Sequence, residues 1–207
     1  MEVGKWTAHK TQAALLARLP VRKSDFRRYT ALDFGESCGL AFCDMLPGQA
    51  IKDVPVYLDL LDLSIGTFAS SGVRFLRLEA VLEAIDPSVL FFEDVKYTPS
   101  MDLLTGKPSV AKILARSAGT TEFFGALKHY AVTWAERNNI PCTGYGIGEI
   151  KKFATGKGNA SKSDMIEACN KALGTKFDSK TYEQTGADDI CDAAFCLMMG
   201  AQNYQPA

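Results

Sequence analysis

Tyr29–Phe42 reads YTALDFGESCGLAF. An apolar run carrying one acid, Asp33, meets Gly35, and a second apolar run begins at once. That is the pattern of two paired strands joined by a tight turn. Asp33 lies between Leu32 and Phe34 on a strand that reads as buried. A carboxylate there costs several kcal/mol unless a cation or hydrogen bonds offset it. The anomaly recurs in VLFFEDV, Val89–Val95, where an apolar strand runs into Glu93, and again in GADDICDAAFCLMMG, where Asp189 and Asp192 open an apolar helix.

Working outward, strands are expected at about 29–35, 38–45 and 54–61, with Pro47-Gly48 turning the chain before the third. Val73, Leu76, Leu78, Val81, Leu82 and Ile85 recur at helical spacing in Ser71–Ile85, which Asp86-Pro87 stops. Strand 89–95 follows, then a Pro/Gly/Ser-bearing loop over Thr98–Ser109 and a long helical pattern over Val110–Asn138. A fifth strand is expected at Pro141–Ile147 and a short helix at Glu149–Ala154. Ser161–Asp164 reads as a capping box for a helix to about Leu173, and a last helix spans 187–201. Three strands, helix, strand, helix, strand and helices make an α/β fold: a mixed five-stranded sheet with an antiparallel start and helices on both faces.

Asp189 and Asp192 stand at i, i+3 and share a helix face, while Asp188 points about 100° away. Each acid has a plainer reading by itself: Asp33 bonding turn amides, Glu93 pairing with a lysine, Asp188 and Asp189 meeting a helix dipole. Their joint occurrence is what those readings leave to coincidence. If the last helix crosses the carboxyl ends of the first and fourth strands, Asp33, Glu93, Asp189 and Asp192 converge. Four carboxylates together repel and cannot all stay ionised unaided. Mg²⁺, a hard ion with a preference for oxygen ligands, resolves the conflict, with Mn²⁺ as a substitute. Two such ions about 3.5–4 Å apart activate water and stabilise a leaving oxygen in phosphodiester cleavage.

These residues carry a family resemblance. LDFGESCGLAF, FFEDV and ADDICDAAFCLMMG, in that order, resemble the first strand pair, fourth strand and last helix of the RuvC-type Holliday-junction resolvases of the RNase H-like superfamily. The resemblance covers about Tyr29 to Gly200 and implies an RNase H-like fold. It makes Asp33, Glu93, Asp189 and Asp192 the catalytic metal ligands. Ile150–Met165, IKKFATGKGNASKSDM, is similar to the segment that carries a lysine near the scissile phosphate, which falls on Lys162. The implied activity is Mg²⁺-dependent cutting of four-way DNA junctions by paired symmetric nicks from a homodimer. The alternatives are a nuclease on flaps, forks or other branched DNA, and a catalytically silent junction-binding protein. The sequence departs from the family three residues after the second acid: Lys96 stands where an aromatic is usual, and a base-stacking role passes to Tyr97.

Charge and composition fit this reading. The net charge of −1 conceals ten Lys/Arg against four Asp/Glu between Lys96 and Lys162, with acidic flanks on either side. A basic middle beside a cation-binding cluster suits a polyanion, and Lys107, Lys112, Arg116, Lys151, Lys152 and Lys157 join Lys96 and Tyr97 as expected DNA contacts. Solvated helix faces are the competing explanation. GKGNASKS is not a P-loop, because no GK[ST] follows a glycine at the required spacing. Six cysteines without a CxxC pair, and only His9 and His129, argue against zinc and against Ser/His/Asp or Cys/His chemistry.

The cysteines also suggest a reducing, intracellular compartment, cytoplasmic in a bacterial or viral setting. No apolar run approaches a membrane span. Residues 1–28 hold seven Lys/Arg against Glu2 and Asp25, with a short amphipathic helix over Thr11–Leu19. They read as a basic extension before a nuclease domain at 29–207, either an arm on DNA, an organellar targeting segment or a loosely packed tail.

Overall fold

The computed structural model of the chain describes residues 16, 17, 19–65, 70–95 and 110–204, with only the helical backbone for 110–121. The expected Thr11–Leu19 helix and Thr98–Ser109 loop therefore lie wholly or mostly outside the described residues.

Five strands form one sheet in the order β3-β2-β1-β4-β5. They are β1 Arg27–Asp33, β2 Ser37–Met45, β3 Tyr57–Asp62, β4 Val89–Glu93 and β5 Cys142–Tyr145. β1 pairs antiparallel with β2, and β2 with β3. β4 lies parallel to β1, and β5 parallel to β4. The helices are α1 Gly72–Ile85, α2 Val110–Arg137, α3 Ile147–Thr155, α4 Lys162–Leu173, α5 Tyr182–Thr185 and α6 Ala187–Asn203. This is the α/β architecture expected, with every expected strand and every expected helix from Ser71 onward present.

Boundaries differ where local chemistry intervenes. The third strand starts at Tyr57 instead of 54, because Pro55 has no N–H for the ladder and Ile51–Asp53 form a single 3₁₀ turn ahead of it. β1 begins two residues early, at Arg27. Arg28 is 1% exposed, yet its charge is fully met. Nε and Nη2 donate to the two oxygens of Asp44 at 2.7 and 2.8 Å, and Nη1 and Nη2 also donate to the carbonyls of Ile85 and Pro20, each at 2.9 Å. A bidentate, charge-assisted pair of this kind is what makes a buried guanidinium tolerable.

The period-two alternation of the strands sends side chains to two separate cores. Tyr29 and Ala31 of β1, with Val89 and Phe91 of β4, face α3, α4 and α6. Leu32 of β1, with Leu90 and Phe92 of β4, faces α1 and α2. Continuing the alternation by one residue puts Asp33 and Glu93 on the α6 face. The parallel register, Leu32 beside Phe92, brings those two acids to adjacent strand ends.

Two glycines let α6 lie close on the sheet. A Cβ on Gly39 of β2 would stand 2.0 Å from the carbonyl oxygen of Asp189, and one on Gly200 would stand 2.5 Å from the ring of Phe91. Gly39 is also the residue paired across the ladder with Asp33. The backbone of α6 is thus seated beside the first acid by the absence of a side chain. Among the described residues, no helix is long and apolar enough to cross a membrane.

Candidate metal centre

The carboxylates of Asp33, Glu93 and Asp192 meet at the carboxyl ends of β1 and β4, each offering an oxygen within 4.8 Å of the others. Asp33 and Glu93 are each only 8% exposed. Among the described residues, one oxygen of Asp192 is buried with no hydrogen-bond partner. An orphaned buried acceptor in a ring of acids is a costly arrangement for protein alone.

The acids report that cost in their proton affinities. Burial pushes the Asp33 carboxyl well above the usual carboxylate range, and Glu93, Asp192, Asp189 and Asp188 push it the same way. Burial, reinforced by Asp192 and Asp189, raises Glu93 to about 8 against the pull of Lys151 and Lys162. Asp192 rises to about 7, again chiefly from burial, with Lys151 opposing and Asp188 and Asp189 adding. A divalent cation is the partner that would reverse these shifts. The donor set fits one: hard oxygens only, three residues, and an unspent acceptor on one of them.

Asp189 sits at the edge of this group. Burial and Asp188 lift it to about 6, while Lys162 and a hydrogen bond from Ser37 pull it back. The structure thus draws Asp33, Glu93 and Asp192 into one tight set and places Asp189 beside it. Asp188, one residue earlier on α6 and a turn before Asp192, also presses on Asp33, Asp189 and Asp192. It is 6% exposed, and its Oδ2 accepts from Lys162 Nζ at 2.5 Å.

Lys162 is the first residue of α4, positioned by the capping box expected there. The Asp164 N–H donates to Ser161 Oγ at 3.2 Å, and the Ser161 N–H donates to an Asp164 carboxylate oxygen at 2.8 Å. The Lys162 ammonium also lies 5.3 Å from the centre of the Tyr182 ring. Tyr182 belongs to α5, a one-turn helix that no hydrophobic periodicity announces.

Lys151, on α3, bears electrostatically on both Glu93 and Asp192. Lys152 and Lys157 are exposed. Lys96, Tyr97 and Lys107 lie outside the described residues, as do the side chains of Lys112 and Arg116. Beyond the second acid, Asp94 turns aside and pairs with Lys128 of α2 at 2.5 Å.

A mixed sheet in this strand order, with acids ending the two central parallel strands and a helix laid across them, is the RNase H-like fold in its RuvC-like form. Two solved structures share it. RuvC of Thermus thermophilus in complex with a Holliday junction substrate matches with a TM-score of 0.55 and 17% identity, over 84% of this chain and 97% of that one. A second Thermus thermophilus RuvC structure matches over the same shares at 17% identity, with a TM-score of 0.51. No protein-family model and no curated protein sequence matches the chain.

Proposed function

We propose that the chain is a divalent-metal-dependent endonuclease of branched DNA whose principal substrate is the four-way junction. The observation that carries this reading is the convergence of Asp33, Glu93 and Asp192 from β1, β4 and α6, with an unpartnered Asp192 oxygen among them. The RuvC neighbour bound to a Holliday junction supports the choice of substrate. Mg²⁺ held by these acids, with Asp189 beside them, would supply an activated water and neutralise charge at the phosphate. The chain's own residues do the rest. Lys162 meets the negative charge that grows on the phosphate oxygens as water attacks, and a preorganised ammonium is suited to that. Lys151, Lys152 and Lys157, with Lys107, Lys112 and Arg116, hold the DNA backbone, and Tyr97 takes the stacking role beside Lys96. Paired symmetric nicks require two active sites, hence a homodimer.

The deciding experiment incubates the protein with labelled four-way, flap and linear duplexes in Mg²⁺ or EDTA. Paired symmetric nicks in the junction, in Mg²⁺ alone, are expected. Preferential cutting of flaps would move the substrate to other branched DNA. Tight junction binding without nicking would make the chain a silent binder.

A further inference from the structure

We infer that Asp188, with the ring of Tyr182, is the positioning element for Lys162. This rests on the nuclease reading above and adds to it a residue whose role is exerted through another side chain. Lys162 and Asp188 occupy the first turns of two helices that pack together, α4 and α6. Their ion pair is asymmetric: the Asp188 side chain is 8% exposed, and that of Lys162 is 56% exposed. The acid is therefore a fixed anchor, and the lysine is the partner that still reaches solvent. A lysine side chain has a large rotamer freedom to lose on being fixed. Here the carboxylate on one side and the aromatic face on the other hold it before any substrate arrives.

The held position is a useful one. An ammonium has three donors, and Asp188 takes one of them. From there Lys162 already acts on Glu93, Asp189 and Asp192, so its charge bears on the acid set while Asp188 holds it. The pairing also matters for Asp188, which without a cation would be a further negative charge beside four others. One residue thus removes its own repulsion and sets the direction of the lysine.

The test pairs Asp188→Asn with Lys162→Ala and their combination. Asp188→Asn keeps the shape and removes the charge. Its single-turnover rate on a four-way junction in Mg²⁺ should fall roughly ten- to a hundredfold, as for a misplaced catalytic group, with junction affinity changed less than about twofold and the melting temperature preserved. In the Lys162→Ala background the same substitution should cost nothing further, because the lysine is the route of its effect. A readout independent of cleavage is the ¹⁵N-ammonium signal of Lys162 in the free protein, slow to exchange in the wild type and lost in Asp188→Asn. A wild-type rate for Asp188→Asn, an undiminished effect in the Lys162→Ala background, or an unchanged ammonium signal each overturns the proposal. A wild-type chain that cuts no DNA overturns the nuclease reading instead, and the ammonium signal still decides whether Asp188 holds Lys162.

Discussion

The backbone of Gly39 and the carbonyl of Asp189 are in such close apposition that a methyl group on Gly39 would stand 2.0 Å from that oxygen. Gly39 is the ladder partner of Asp33, so the contact sets the distance between the strand that carries one acid and the helix that carries two. Gly39→Ala must push α6 away from the sheet. It should cost about 1–3 kcal/mol in stability, as overpacking does, and should lower cleavage further than that loss explains. Gly125→Ala is the matched control: among the described residues, nothing beyond its own stretch of helix lies within 4 Å of the added Cβ, and alanine in a helix interior gains about 0.5–1 kcal/mol over glycine. Thermal melts and cleavage rates of the two variants check the pair. Wild-type cleavage by Gly39→Ala would show that the seating of α6 is not critical.

Removing any one member of the acid set should abolish cutting and leave junction binding in place, because the basic surface is separate. Asp33→Asn, Glu93→Gln and Asp192→Asn should each also raise the stability of the metal-free protein, since each relieves repulsion among buried carboxylates. Mobility-shift titrations, nicking assays and melts in EDTA measure the three effects. Mg²⁺-dependent cleavage by Asp33→Asn at the wild-type rate would sink the metal-site assignment.

Stability in EDTA should fall as pH rises. Unfolded carboxylates titrate near 4, whereas Asp189, Asp192 and Glu93 hold their protons to about 6, 7 and 8 in the fold. Between pH 4 and 8 the native state therefore binds more protons than the unfolded state, and stability declines across that window. The contribution is complete below pH 4 and spent above about 8. Melting temperatures at pH 5.5 and 8.5 should differ in that sense, less so in Asp192→Asn, and least with saturating Mg²⁺, which binds the ionised acids. An equal drop in wild type and Asp192→Asn would place its origin elsewhere.

Junction affinity should depend steeply on salt, with a log–log slope of about −0.9 for each phosphate neutralised on duplex DNA. Lys152→Ala and Lys157→Ala, both at exposed positions, should each weaken binding and flatten that slope by about 0.9. Single-turnover cleavage at saturating protein should change little. A salt-independent affinity would mean that the basic middle of the chain merely solvates its helices.

Much of this site was legible in the sequence because strand alternation is a local signal. YTALD and VLFFE each place their acid on the same side as every second residue before it, and that side is the one α6 covers. The i, i+3 spacing of Asp189 and Asp192 was equally local. What escaped was set by chain segments distant in sequence. The spacing could not show that Asp192 joins the tight set while Asp189 stands beside it, because this depends on how far α6 slides along β1 and β2. The anchoring of Lys162 by Asp188 crosses 26 residues, and Lys151 is turned toward the acids by the packing of α3 on α6. Arg28 read as part of the basic extension at residues 1–28, since burial of a guanidinium is tolerated only once Asp44 and the carbonyls of Ile85 and Pro20 are in place.

The tether at the opposite end of the sheet has a practical consequence. Arg22 donates to Asp86 and Ser88, which precede β4, whereas Glu93 ends it. Five residues of strand, at about 3.3 Å each, separate that anchorage from the acids. Val21, next to Arg22, is 92% exposed. A fluorophore on a cysteine placed at Val21 would ride on a fixed point of the domain, clear of the cutting end. Energy transfer from it to dyes on each of four DNA arms would give the orientation of a bound junction directly, as a ruler reading.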